Sequence, residues 1–247
     1  MLKPTSPALS QRTRQPQLDL IKWLALLLMV VDHLRFVSSQ FSWTFLPGRL
    51  VFPLFCLVIA FHLQFFLAGS GNTLKIRRYL FWLVCFAILS EWPYEMLMPK
   101  SRSYNIFITL ALGVIFVYPV HSRFLSNIFK VTVILITLFL QEKLMYGLYG
   151  VLLPLAFMLA LRSNGGLWLL PVMLCFFANY RYVTADIFIE LNIFQISALL
   201  IASMTPLVGK WICEQTTPLN IWPVKKWGYF FYPGHLLILY GLKVILQ

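Results

Sequence analysis

Apolar residues run through this chain in nine blocks separated by short polar breaks, covering about 18–37, 51–67, 79–97, 105–118, 128–140, 144–161, 167–183, 187–208 and 227 onward. An α-helix rises about 1.5 Å per residue, so about 20 apolar residues cross the ~30 Å of bilayer hydrocarbon. The pattern predicts an all-α polytopic transmembrane bundle of about nine spans, eight to ten being the range. The fifth block is short enough to predict a tilted or re-entrant segment. Residues 1–17 are polar, basic and Pro-containing, and read as a flexible cytoplasmic leader, with 18–247 as one integral-membrane domain.

Composition agrees with the pattern. Of 247 residues, 60% are hydrophobic and 11% charged, where soluble domains average about 25% charged. The net charge of +12 does not point to nucleic acid, because the basic residues fall singly or in pairs between apolar blocks, as membrane topology requires. With nine spans and a cytoplasmic N-terminus, twelve Lys and Arg lie inside and seven outside, with Lys22 within the first span. Residues 70–76 and 209–226 are then cytoplasmic and Gln247 lies on the outer side. The first block runs on into Asp-His-Leu-Arg and lacks a small-residue cleavage site, which separates it from a cleaved signal peptide. The four cysteines, Cys56, Cys85, Cys175 and Cys213, share no metal-ligand spacing and are expected to be buried free thiols.

The chemistry is expected where the first block ends, at Asp32, His33 and Arg35. A charged group in the middle of a span costs about 2.5–3.5 kcal/mol on insertion scales, so such residues face protein or water rather than lipid. Helical periodicity puts Asp19, Lys22 and His33 in one polar line along the first span, which predicts a helix packed around a polar cavity. A plainer alternative pairs Asp32 with Arg35 one turn on and leaves His33 a satisfied core imidazole. A second motif lies in the last block, where Pro233 and Gly234 should distort the helix just before His235. Glu91 and Pro93 interrupt the third block, and Glu190, Asn192 and Gln195 fall on the eighth.

Six ordered segments resemble the TraX family of membrane acyltransferases: LDLIKWLALLLMVVDHL at 18–34, GRLVFPLF at 48–55, RRYLFWLVCFAILSEWPYE at 77–95, NIFITLALG at 105–113, YGLYGVLLP at 146–154 and FFYPGHLLIL at 230–239. The chain departs from the family pattern at Phe61-His62, where Glu-Gly is common, and at Met145, where an Asp often precedes the YG pair; His62 is therefore read as a packing residue or polar contact. The resemblance implies an acetyltransferase of the bacterial inner membrane. It would use acetyl-CoA as donor, without a metal, and the N-terminal amine of conjugative pilin as acceptor.

Acyl transfer from a thioester needs a base and donors for the oxyanion. His33 is the expected base, Asp32 the group that sets its tautomer or charge, and His235 a second imidazole acting as acid or oxyanion donor. Coenzyme A carries phosphates, for which Arg77, Arg78 and Lys75 are candidates, backed by Lys22, Lys225 and Lys226. Each would also serve as a positive-inside anchor. Arg49 and Glu91 are expected either to pair or to meet the substrates, and Tyr232 joins them as a substrate-side candidate. Counting from helix starts at Leu18 and Trp227 puts His33 about 22 Å and His235 about 12 Å up from the inner side, with a gap of about 10 Å between them. The rival class is non-enzymatic: a small-solute transporter with Asp32, His33 and Glu190 as a proton relay, or an assembly factor that holds pilin. A repeated half would favour a transporter, and the sequence shows none.

Overall fold

The computed structural model describes residues 15–68, 73–120, 122–163, 165–183, 192–216 and 220–246. Among them lie nine helices of twelve residues or more and no strand, so the chain is a helical membrane bundle. The helices are α1 (Pro16–His33), the single turn α2 (Phe45–Gly48), α3 (Val51–Ala68), α4 (Thr73–Leu97), α5 (Ile106–Val117), α6 (Arg123–Phe139), α7 (Gly147–Arg162), α8 (Leu169–Val183), α9 (Ile193–Glu214) and α10 (Trp227–Leu246). Four stretches, Ser39–Ala68, Thr73–Leu97, Ile193–Glu214 and Trp227–Leu246, are long and apolar enough to cross a bilayer, and shorter apolar helices fill the spaces between them. Every apolar block of the sequence has its helix.

Long-range hydrogen bonds fix the direction of neighbouring helices. Gln17 at the start of α1 donates to the Gln215 carbonyl just past α9 at 2.7 Å, so these two run antiparallel. Gln64 near the end of α3 reaches the Met158 carbonyl near the end of α7 at 2.6 Å, and Lys243 near the end of α10 reaches the Leu97 carbonyl that ends α4 at 3.2 Å, so each of those pairs is parallel. These contacts fit strict alternation, with α1, α4 and α10 rising from one end of the bundle. α10 packs on α4 and touches α1, and α3 lies between α1 and α7. A core of Ile21, Ala25, Leu54, Leu57, Leu63 and Leu236 seals this group. Each leucine or isoleucine side chain contributes about 1.5–3 kcal/mol when taken out of water, though in a bilayer close packing carries more of the stabilisation.

Several boundaries differ from the sequence reading, for local reasons. α1 stops at His33, and the chain turns through 3-10 segments at Leu34–Phe36 and Ser39–Thr44, so Asp32 and His33 cap a helix end instead of lying within a span reaching residue 37. The loop expected at 209–227 begins later, because α9 continues to Glu214, where Lys210 and Glu214 pair at 3.8 Å. Asn192 and Gln195 are not polar positions inside a span; they form the capping box that starts α9, each satisfying a backbone amide of the other. Glu190 and the stretch around it lie outside the described residues. α6, the short fifth block, is peripheral: only Val133 and Thr137 are buried, and Phe139 is 88% exposed. The cysteines are unpaired, with Cys56 and Cys175 buried and Cys85 and Cys213 half-buried.

Candidate functional site

Two cavities enter the bundle, one from each end, and meet between α1, α3, α5 and α10. The first, of about 640 Å³, is lined by Asp32, His33, Arg35, Arg49, Tyr146 and a serine-rich mouth that includes Ser38, Ser39 and Ser101. The second, of about 610 Å³, has apolar walls and is rimmed by Lys22, Lys75, Arg78, Lys225 and Lys226. Met29, Phe55, Ile106 and Tyr232 line both, forming a collar between them. One face of α1 carries the whole route. Lys22, Leu26 and Met29 look into the second cavity, and Met29, Asp32 and His33 into the first, so two members of the predicted polar line, Lys22 and His33, face the route, while Asp19 lines neither cavity and instead accepts from Lys22 at 3.2 Å and from the Val224 amide at 3.3 Å.

The two motif histidines are neighbours. The ring centroids of His33 and His235 are 5.0 Å apart at 72°, and Tyr232 completes the cluster at 6.5 Å from His33 and 5.5 Å from His235. The expected 10 Å gap disappears because α1 and α10 do not start level. Trp23, not Leu18, sits opposite the start of α10: its ring lies 5.3 Å from Trp227 and its indole N–H bonds the Trp222 carbonyl at 2.9 Å. His33 is ten residues above Trp23 and His235 eight above Trp227, a difference of about 3 Å.

Hydrogen bonding fixes both tautomers. His33 Nδ1 lies 2.6 Å from the Met29 carbonyl and His235 Nδ1 3.0 Å from that of Phe231, each one turn back in its own helix. A carbonyl only accepts, so both rings carry hydrogen on Nδ1 and present Nε2 as a lone pair. His235 Nε2 is buried and has no hydrogen-bond partner among the described residues, and His235 lines neither cavity, so this ring stands behind His33. In this tautomer Nε2 has no hydrogen to give, and the expected role of acid or oxyanion donor requires it protonated. What the structure shows is a ring packed edge-to-face against His33.

Asp32 does not set the His33 tautomer, since the Met29 carbonyl does that. Its Oδ1 accepts from Arg35 Nε at 3.1 Å and pairs with Arg49 Nη2 at 3.9 Å. The one-turn Asp32–Arg35 pair, the plainer of the two sequence readings, is present, and a second arginine joins it. Arg49 is 3% exposed; it also reaches the Phe45 carbonyl at 3.3 Å and Asn179 of α8 at 3.4 Å, and its guanidinium covers the Phe45 ring at 4.0 Å. A buried guanidinium stripped of its partner costs about 3–5 kcal/mol, so Asp32 holds Arg49 in the wall as much as Arg49 holds Asp32. The chain passes this pair with no side chain at Gly48, where a Cβ would collide with the Asp32 carboxylate.

The remaining candidates separate. Glu91 does not receive Arg49. It accepts from the backbone and side-chain amides of Asn105, at 3.1 and 2.5 Å, and so holds the start of α5. Arg78 lines the second cavity beside Lys75 and Lys22, whereas Arg77, one position away, lines neither. His62 packs against Tyr79 and Phe66, as a packing residue would, in the wall of the cation-rimmed cavity. Sequence reasoning missed Gly48, Asn179 and Tyr146. Tyr146 holds a left-handed backbone, φ 65°, while its ring stacks on Phe52 at 4.3 Å and faces the first cavity. The YG pair that marks it was visible as a motif, but nothing in a single chain signals strain or a partner 130 residues distant.

No solved structure matches the chain. Protein TraX of Escherichia coli (strain K12) is 51% identical over 49 residues, a stretch that covers 19% of this chain and 20% of that protein. The match to the family model is far longer, spanning residues 17–243 and hence every helix of the site. The chain belongs to the family described as TraX protein.

Proposed function

We propose that this protein is an inner-membrane acetyltransferase that moves the acetyl group of acetyl-CoA to the N-terminal amine of conjugative pilin, as a step in pilus maturation. The observation that carries the reading is the imidazole pair packed against Tyr232, a residue of the collar where two cavities from opposite ends meet, one of them rimmed by five cations. Lys22, Lys75, Arg78, Lys225 and Lys226 suit the phosphates of a coenzyme A, and the apolar walls behind them suit its pantetheine arm. With the N-terminus cytoplasmic, this rim faces the compartment where the donor is made, and the serine-lined cavity receives the acceptor from the outer side.

The chemistry follows from the tautomers. The neutral amine attacks the thioester carbonyl carbon, a C–N bond forms, and the carbonyl electron pair moves onto oxygen. His33 Nε2 takes the proton that the nitrogen sheds. The His235 ring, its centroid 5.0 Å from that of His33, packs behind the base and holds it in place. When the tetrahedral intermediate collapses, the C–S bond breaks, and the thiolate leaves with the proton as free coenzyme A thiol. His33 is the catalytic residue of this scheme and His235 a positioning residue. The Asp32–Arg35–Arg49 cluster keeps the helix end that bears His33 in place.

Mass spectrometry of pilin from cells with and without this chain tests the reading directly. An acetylated N-terminus only in the presence of the chain is expected. The same terminus in both, or transport of a solute without acetyl-CoA dependence, would favour the relay or holding roles instead.

A further inference from the structure

The tetrahedral intermediate of acyl transfer puts a negative charge on the former carbonyl oxygen, and an enzyme that stabilises it needs a hydrogen-bond donor where the thioester sits. The donors around the junction are mostly spent. The Nδ1–H of each histidine is given to a backbone carbonyl, and His235 faces neither cavity. Arg35 Nε is committed to Asp32, and Arg49 to Phe45, Asn179 and Asp32, and both arginines line only the first cavity. Of the four collar residues, Met29, Phe55 and Ile106 have no side-chain donor, and only Tyr232 does.

From this placement we infer that Tyr232 is the oxyanion donor: its phenolic O–H hydrogen-bonds the thioester oxygen at the collar while His33 handles the proton on the other side of the same carbon. The inference rests on the acetyl-transfer reading above. The ring is fixed for such a task, edge-on to Phe107 at 4.9 Å and packed against both imidazoles, and it is 4% exposed. Ile106, the first residue of α5, lines the collar beside it. The partial positive charge of the α5 N-terminus is thereby brought to the collar, where it favours a developing oxyanion.

The test uses the full chain in lipid nanodiscs, with acetyl-CoA and an apolar peptide bearing a free N-terminal amine. Tyr232→Phe keeps the ring and removes the donor. It is expected to lower kcat by about 10²-fold with the KM for acetyl-CoA changed less than about 2-fold, because the bond strengthens only as charge develops. Infrared spectra of acetyl-CoA labelled at the carbonyl carbon should show the bound carbonyl band moving to higher frequency in Tyr232→Phe. Incorporation of 3-fluorotyrosine at 232, a more acidic phenol in the same shape, should move it to lower frequency, and this covers the case in which Tyr232→Phe fails to fold. Unchanged kcat in folded Tyr232→Phe, or a band indifferent to the fluorine, would overturn the assignment and leave the acetyltransferase intact. No acetylation by the unaltered chain would remove the reading beneath it.

Discussion

The two cavities are nearly equal in size and opposite in construction. The one that carries His33 is built from residues that hold one another: Asp32 with Arg35 and Arg49, Arg49 with Asn179, and Gly48 making room for the carboxylate. The other is apolar, and its cations stand at the rim on three separate segments, α1, the start of α4, and the residues just before α10. Preorganised geometry belongs where bonds are made, because reacting atoms misplaced by about 1 Å lose about 10²-fold in rate. A charged rim on flexible stems belongs where a polyanion is caught and released, since loose phosphate contacts contribute binding that is the same in ground and transition states. Substitutions in the two cavities should therefore fail in different kinetic terms.

The largest effect is expected at the junction. His33→Ala should abolish acetylation, a loss of at least about 10³-fold in kcat, with the protein still folded and abundant in the membrane. His235→Ala should lose less, about 10–10²-fold, because the ring stands behind the base and lines neither cavity. Pilin mass spectrometry with quantitative membrane blotting separates the two. A fully active His33→Ala chain would end the mechanism.

Next in size is Gly48→Ala. The added methyl meets the Asp32 carboxylate, so either the α2 turn or the end of α1 must shift, and the Asp32–Arg49 pair opens with it. The expected result is a lower melting temperature in detergent together with a fall of about 10²-fold in kcat, and little change in the KM for acetyl-CoA. A substitution this small that damages both stability and turnover would mark the first cavity as the rigid one. Undiminished kcat would show that its geometry tolerates movement.

How much of this was legible in the sequence follows from the reach of each signal. Helical periodicity placed Lys22 and His33 on one cavity-facing stripe, because the spacing along one helix is a property of that helix alone. The nine blocks became nine helices for the same reason. The separation of His33 from His235 was misjudged, since it depends on the relative height of two helices far apart in the chain, which the Trp23 contacts to Trp222 and Trp227 set. The partner of Arg49 was misjudged likewise. Glu91 was the carboxylate offered as its partner, but Asn105 claims it, and Asp32 reaches Arg49 through the folding of the 34–48 turn. Polar residues within a block were read as positions on a span when some, such as Asn192 and Gln195, begin a helix, because capping and interior polar residues use the same side chains.

The smallest effect is the most discriminating for the rim. The sequence offers Arg77 and Arg78 as an equivalent pair, but adjacent positions on a helix point about 100° apart, and only Arg78 faces the second cavity with Lys75, Lys225 and Lys226 nearby. Both arginines are exposed, so each contact is screened and contributes modestly. Arg78→Gln should raise the KM for acetyl-CoA by roughly 3- to 5-fold at constant kcat, and added salt should narrow the difference, as expected for a phosphate held in high dielectric. Arg77→Gln should leave both constants unchanged and affect only the amount of protein inserted, as a topology anchor does. Steady-state kinetics on the two single variants at two ionic strengths makes the comparison. Equal effects would mean that the rim works as an undirected field of positive charge, and a fall in kcat for Arg78→Gln would mean that the second cavity, too, has been drawn into the chemistry.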